Sequence, residues 1–448
     1  MNAHAAHSPE HAPVALEDVH IARSAWAGAW KKAGALGILG LALSTYGALT
    51  DPARFAYSYL FAFFVFLSIA LGSLFFVLVQ HLTSAAWSVT VRRGSEFLMR
   101  ALPVFLVLIW PVLLCTQRLY PWDGAPHETE PMQAGAFANA MDEGSREPAA
   151  LAAANRGVVA ELAHGREAED ARVLSGRRAY MNRPFFILRA LGFLALWSFI
   201  ALRLFRWSTR QDEEKSARGT LLAKRFAPIA MIGFSLALVL AAFDWLMSLA
   251  PVWYTTVFGV YVFAGCAVGH AAVAILLAMA LQQAGLLQTS ITVEHYHDLG
   301  KLLFGWVSFW AYIAFVQFFL IWYANLPDEV SFFHQRWTDN LGSWKVLGAS
   351  LVLLHFLLPF WLLLSRNAKR SRALLASGAL VVLALHVADV YWLILPNAGP
   401  FAPDWLDFTC FLGVGGIYAA TVLRSMERYP LVAIGDPRLA RSLAFENA

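Results

Sequence analysis

Two aspartates and four histidines stand inside stretches otherwise made of Leu, Val, Phe, Ala and Gly: Asp244, Asp389, His81, His270, His355 and His386. An ionisable group in such a setting costs on the order of several kcal/mol and marks a functional position by default. His386 and Asp389 are three residues apart, so on a helix they share a face and can hydrogen-bond. An imidazole with a carboxylate neighbour titrates near neutral pH, which suits a proton carrier. A helical rise of about 1.5 Å per residue places Asp244 and Asp389 near one membrane edge. His386 falls slightly deeper, His355 near the middle, His270 in the other half and His81 at the opposite surface. The spacing therefore predicts a proton path from Asp389 and His386 through His355 to His270. The plain alternative is that each histidine is a packing residue bonded to a helix carbonyl; a b-haem between His355 and His386 is a further one. Beside the seventh apolar run, Glu294, His295, His297, Asp298 and Lys301 cluster. With His81, the two histidines could take up protons at the inner surface, but a solvated helix cap is the plainer reading.

These residues need elements to hold them, and composition says which. The chain has 448 residues, 59% hydrophobic and only 14% Asp, Glu, Lys and Arg, with 17 Trp and 33 Phe. Soluble domains carry roughly 25% charged residues, and disordered chains lack such apolar surface. The fold class is an all-α polytopic membrane protein. Spans need about 20 apolar residues, and ten runs qualify: 33–50, 56–81, 97–115, 184–206, 226–250, 254–282, 300–324, 343–365, 372–395 and 405–424.

Orientation follows from basic residues in short connections. Arg23, Lys31, Lys32, Arg92 and Arg93 fall on one face, as do the basic groups within 206–225, 366–372 and 424–428. The other face offers little beyond Arg54, Arg118 and Arg336, interleaved with Asp51, Asp123, Asp328, Glu329, Asp339 and Asp404. The basic face is expected to be cytoplasmic. Segments 1–32 and 425–448 then lie inside, flanking a transmembrane domain at 33–424, with an extracytoplasmic insertion at 116–183. Within that insertion, helix-like stretches near 132–142 and 148–175 are expected, docked on a partner subunit or loose. The first thirty residues have no apolar core of a cleaved signal. Cys115, Cys266 and Cys410 show no Cys-x-x-Cys or haem-attachment spacing, so no disulfide framework and no covalent haem are expected.

A repeat is also legible. Asp244 precedes Pro251 by seven residues, as Asp389 precedes Pro396, and small-residue patches at 68–72 and 265–269 follow aromatic runs. Spans two to five and six to nine are predicted to be parallel four-helix bundles, with the first and tenth spans peripheral. A secondary transporter would break its helices at the midplane; Pro359 is the main such break.

Several segments resemble a known family. They are LGSLFFVLVQHLTSAAWSVTVRR from Leu71, RRAYMNRPFFILR from Arg177, FDWLMSLAPVWYTTVFGVYVFAG from Phe243, HDLGKLLFGWVSFWAYIAFVQFFLIWYANLPDEV from His297, LLSRNAKR from Leu363 and HVADVYWLILP from His386. In order and spacing they are similar to the membrane subunits of alternative complex III, relatives of the polysulfide-reductase (NrfD-like) membrane anchors, and most to the smaller of the two. The resemblance implies a subunit of a bacterial quinol:cytochrome c or terminal-oxidase oxidoreductase in the inner membrane. It implies as partners a homologous NrfD-like subunit, an iron–sulfur subunit and multihaem cytochrome c subunits. Haem c and iron–sulfur clusters would sit in those partners, with no cofactor on this chain. In the larger sister subunit a His followed by Leu-Gly-Arg closes the third span, with an Asp near the end of the fifth. Asp244 matches the second feature and is a possible quinone or proton group. Cys115-Thr116-Gln117-Arg118 departs from the first. A purely structural anchor is the competing function.

Overall fold

The computed structural model describes residues 19–123, 172, 175–337 and 343–447. The helix-like stretches expected within 124–171 lie outside the described residues, as does Asp339.

Ten helices are long and apolar enough to cross a membrane: Ala29–Thr50, Pro52–Leu82, Val89–Leu114, Arg183–Glu214, Arg218–Leu249, Phe258–Gln283, Val293–Ala324, Ser343–Leu364, Arg372–Ala398 and Trp405–Arg428. Each matches an apolar run, and no strand occurs among the described residues. The helices outrun those windows where charged turns continue the winding, as at Arg206–Glu214 and Val89–Arg93. Pro52 opens the second span with the Asp51 carboxylate accepting from Arg54 N at 2.9 Å, and Asn182 likewise caps the fourth. The third span is broken into short segments around Pro103 and Pro111, since proline supplies no N–H and clashes with the preceding turn.

The packing follows the repeat. In spans two to five the neighbours run 2·3, 3·4, 4·5 and 5·2; in six to nine they run 6·7, 7·8, 8·9 and 9·6. The second and sixth spans pack against each other at the centre, and the fifth meets the sixth as the ninth meets the second. The fold is therefore two parallel four-helix bundles with two peripheral helices. At the centre, Gly72 lies so close to the Cys266 carbonyl that a Cβ would collide with it. The first span leans almost wholly on the tenth. A Cβ on Gly416 would lie 2.5 Å from Gly37 Cα, so the two backbones touch, as small residues allow when lipid offers no hydrophobic drive.

The eighth span departs from ordinary winding. Leu351–Leu357 forms a π-helical segment containing His355. Its buried stripe is Leu351, His355, Pro359 and Leu363, one residue in four. At 100° per residue such a stripe would drift by about 120° over twelve residues. The wider i→i+5 winding keeps all four on the bundle side, and Pro359, with no N–H, sits just beyond it.

Both described ends of the chain lie on one face, where Leu431 N donates to Val19 O at 2.8 Å. We call this the tail face, and the opposite one, reached by residues 123 and 175, the insertion face.

A buried row of acid, imidazoles and hydroxyls in the second bundle

Four spans supply the row. On the sixth, Tyr261, Gly265 and Gly269 recur every four residues and so line one stripe. The ninth lays His386 and Asp389 along that stripe. A Cβ on Gly269 would come within 2.7 Å of the His386 ring, so only glycine leaves room for it.

Asp389 is 2% exposed. Its Oδ1 accepts from the Tyr261 hydroxyl and its Oδ2 from Trp310 Nε1 at 3.1 Å. No cation pairs with it among the described residues. On the far side of Trp310, His355 stacks on the indole with ring centroids 4.3 Å apart and planes 19° apart. Both His355 nitrogens are buried without a protein partner, as is His386 Nδ1. Buried polar atoms are nearly always satisfied by protein or ordered water, so three such nitrogens on neighbouring spans form a local polar site.

The other ring atoms are held by serines of the second span. Ser68 Oγ lies 2.8 Å from His386 Nε2 and donates its single proton to Val65 O at 2.7 Å, so the imidazole donates and Nδ1 keeps the lone pair. Ser73 Oγ donates to Ile69 O and accepts from His270 Nδ1 at 2.9 Å, leaving Nε2 3.5 Å from Ser95 Oγ. Ser68 and Ser73 are five residues apart, about 7.5 Å along the helix. From His270 toward the tail face, a cavity of about 40 Å³ is lined by His270, Gln80, Gly72 and Trp306. A second of about 20 Å³ reaches Thr90 and Ser95. Each has room for at least one water.

All four predicted path residues are thus buried within the protein. No direct hydrogen bond joins any two of them. His386 and Asp389, expected to bond to each other, each take other partners.

The repeat-related acid is different. Asp244 is gripped by Arg189, Nε to Oδ2 at 2.7 Å and Nη2 to Oδ1 at 3.1 Å, and the guanidinium also stacks 3.8 Å from the Tyr180 ring. A bidentate arginine stabilises the ionised carboxylate. One bundle therefore holds its acid with a fixed cation, the other with neutral donors.

On the tail face, His81 is 4% exposed with neither nitrogen bonded. His295 closes a capping box, its Nδ1 accepting from Thr292 N at 3.2 Å. The expected cap is present, but it is covered and not solvated: Ser442 and Phe445 of the C-terminal segment lie over His295. His297 is also buried, Asp298 pairs with Lys301, and Glu294 pairs with Arg370. Beside His81 lies a buried ionic cluster that sequence reasoning missed. Glu96 accepts from Arg92 Nε at 2.8 Å and Ser208 Oγ at 2.7 Å and pairs with Arg93 at 3.2 Å. Arg93 reaches Asp212 at 2.6 Å, Arg92 reaches Asp436 at 2.9 Å, and Arg438 also holds Asp436. Glu96 stands three and four residues after the arginines, a helical ion-pair spacing that was available. Tyr261, Trp310, Ser68 and Ser73 were missed too, and nothing in their local sequence singles them out.

The fold and its buried polar row define the class, an all-α multi-pass membrane protein. No family model matches the chain, and no curated protein matches it.

Proposed function

We propose that the chain is a membrane subunit of a quinol:cytochrome c or terminal-oxidase oxidoreductase of the alternative complex III type. In this reading its second bundle carries protons, while an iron–sulfur subunit, multihaem cytochrome c subunits and a homologous NrfD-like subunit handle the electrons. The observation that carries the proton role is Asp389: buried, bonded only to the neutral donors Tyr261 and Trp310, and followed inward by imidazoles with unpartnered nitrogens. A carboxylate without a fixed cation can exchange a proton; Asp244, tied to Arg189, is an anchor point. The tail face is the cytoplasmic, uptake side in this reading, with His81, His295 and His297 around the mouth and the cavities beside His270 holding water. The complex itself is proposed from the segments that resemble the family.

A scaffold without proton chemistry is the second reading, favoured by the absence of any direct bond along the row. The experiment is proton release per electron in the reconstituted complex with Asp389→Asn and, separately, Asp244→Asn. Asp389→Asn should abolish translocation while quinol oxidation continues. Unchanged translocation in that variant leaves the scaffold.

A further inference from the structure

Arg336 belongs to no ion pair among the described residues, yet it is 1% exposed. It sits on the short helix Pro327–Trp337 at the insertion face. Nε donates to Trp392 O at 3.1 Å, Nη2 to Leu393 O at 2.9 Å and Nη1 to Phe332 O at 2.8 Å. The guanidinium lies 3.5 Å from the centroid of the Phe332 ring and 4.9 Å from that of Trp392. Helix-end carbonyls carry partial negative charge and offset part of the burial cost. Burying a whole cation for that alone is expensive.

Its position supplies a reason. Trp392 is three residues past Asp389, so the carbonyl that Arg336 holds lies one turn nearer the insertion face on the same side of the ninth span. The guanidinium is within electrostatic reach of Tyr261, whose hydroxyl donates to Asp389. We propose that Arg336 is a positioning residue whose fixed charge closes the Tyr261–Asp389 pair to protons from the insertion face. This rests on the reading of Asp389 as a proton carrier. A carrier open to both faces at once is a leak, and a lone arginine beside a narrow polar route repels hydronium. At about 10 Å and an effective dielectric near 20, one charge changes local proton occupancy on the order of tenfold.

The test uses the full-length chain in phospholipid vesicles, with a potassium diffusion potential set by valinomycin and an internal pH dye. Arg336→Gln should raise passive proton flux on the order of tenfold, Arg336→Lys should remain tight, and adding Asp389→Asn to the glutamine variant should restore tightness. A glutamine variant as tight as the parent, or one equally leaky with and without Asp389, overturns the proposal. Arg336→His provides a second readout, leaking at high pH and sealing at low pH; flux insensitive to pH in that variant also overturns it. Failure of the underlying reading shows elsewhere, as translocation by the complex surviving Asp389→Asn alone.

Discussion

Glu96→Gln tests the reasoning about the buried cluster most directly. Arg92, Arg93 and Arg438 face Glu96, Asp212 and Asp436, three charges of each sign, with Arg92, Arg93 and Glu96 at most 2% exposed. The substitution hardly changes volume, but it leaves one positive charge in excess and turns an amide NH₂ toward a guanidinium. Breaking a buried pair from one side costs about 3–5 kcal/mol, because the stranded charge stays desolvated. Arg438→Ala is the internal comparison. Arg438 is 14% exposed and Asp436 keeps Arg92, so about 1 kcal/mol or less is expected. The assay is denaturant unfolding in mild detergent, followed by maleimide labelling of Cys266 and Cys410, both buried free thiols. Midpoint shifts at constant slope give the two costs. If Glu96→Gln costs no more than Arg438→Ala, the cluster is not an electrostatic core and the argument fails.

Two further outcomes follow from other contacts. Gly416→Val forces the first and tenth spans apart and should cost about 1–3 kcal/mol, whereas Gly192→Ala, whose Cβ would meet nothing within 4 Å, should be neutral or slightly stabilising; the same unfolding assay separates them. Burial alone would raise the Asp436 carboxyl, but the hydrogen bonds and charges of Arg438 and Arg92 hold it below the usual carboxylate range. A depressed folded pKa contributes stability that is complete above the unfolded value near 3.9 and fades only as pH falls below it. The Asp436 part of the docking of the C-terminal segment, read as the difference in hydrogen exchange of residues 431–443 between the parent and Asp436→Asn, should therefore be constant from pH 7 to about 5 and shrink only at stronger acidity.

The ten spans were legible because lipid imposes one rule on composition and length, and the first run is a helix like the others, with its glycines packed on the tenth span. The Asp-to-Pro spacing exposed the repeat for a similar reason: both bundles end the same way. What the sequence concealed depends on partners far along the chain. Arg92 and Arg93 read as markers of a face, yet their charges are consumed by Glu96, Asp212 and Asp436. Arg336 read as a loop cation, yet it is buried against the ninth span. His386 and Asp389 share a face as predicted, but which hydroxyl or indole each finds is decided by the second, sixth and seventh spans, and helical periodicity says nothing of that.

The wide winding of the eighth span leaves its length no room to grow. Trp344, Leu351, His355, Pro359 and Leu363 all turn inward only because the coil absorbs one residue beyond what an ordinary helix would use. Removing a leucine between 352 and 354 would let the segment relax to ordinary winding with both halves still inward, but inserting one more would swing the halves by about 100° relative to each other. Either the tryptophan or the imidazole must then leave for the lipid, so a change that keeps every side chain's chemistry would still dismantle the row.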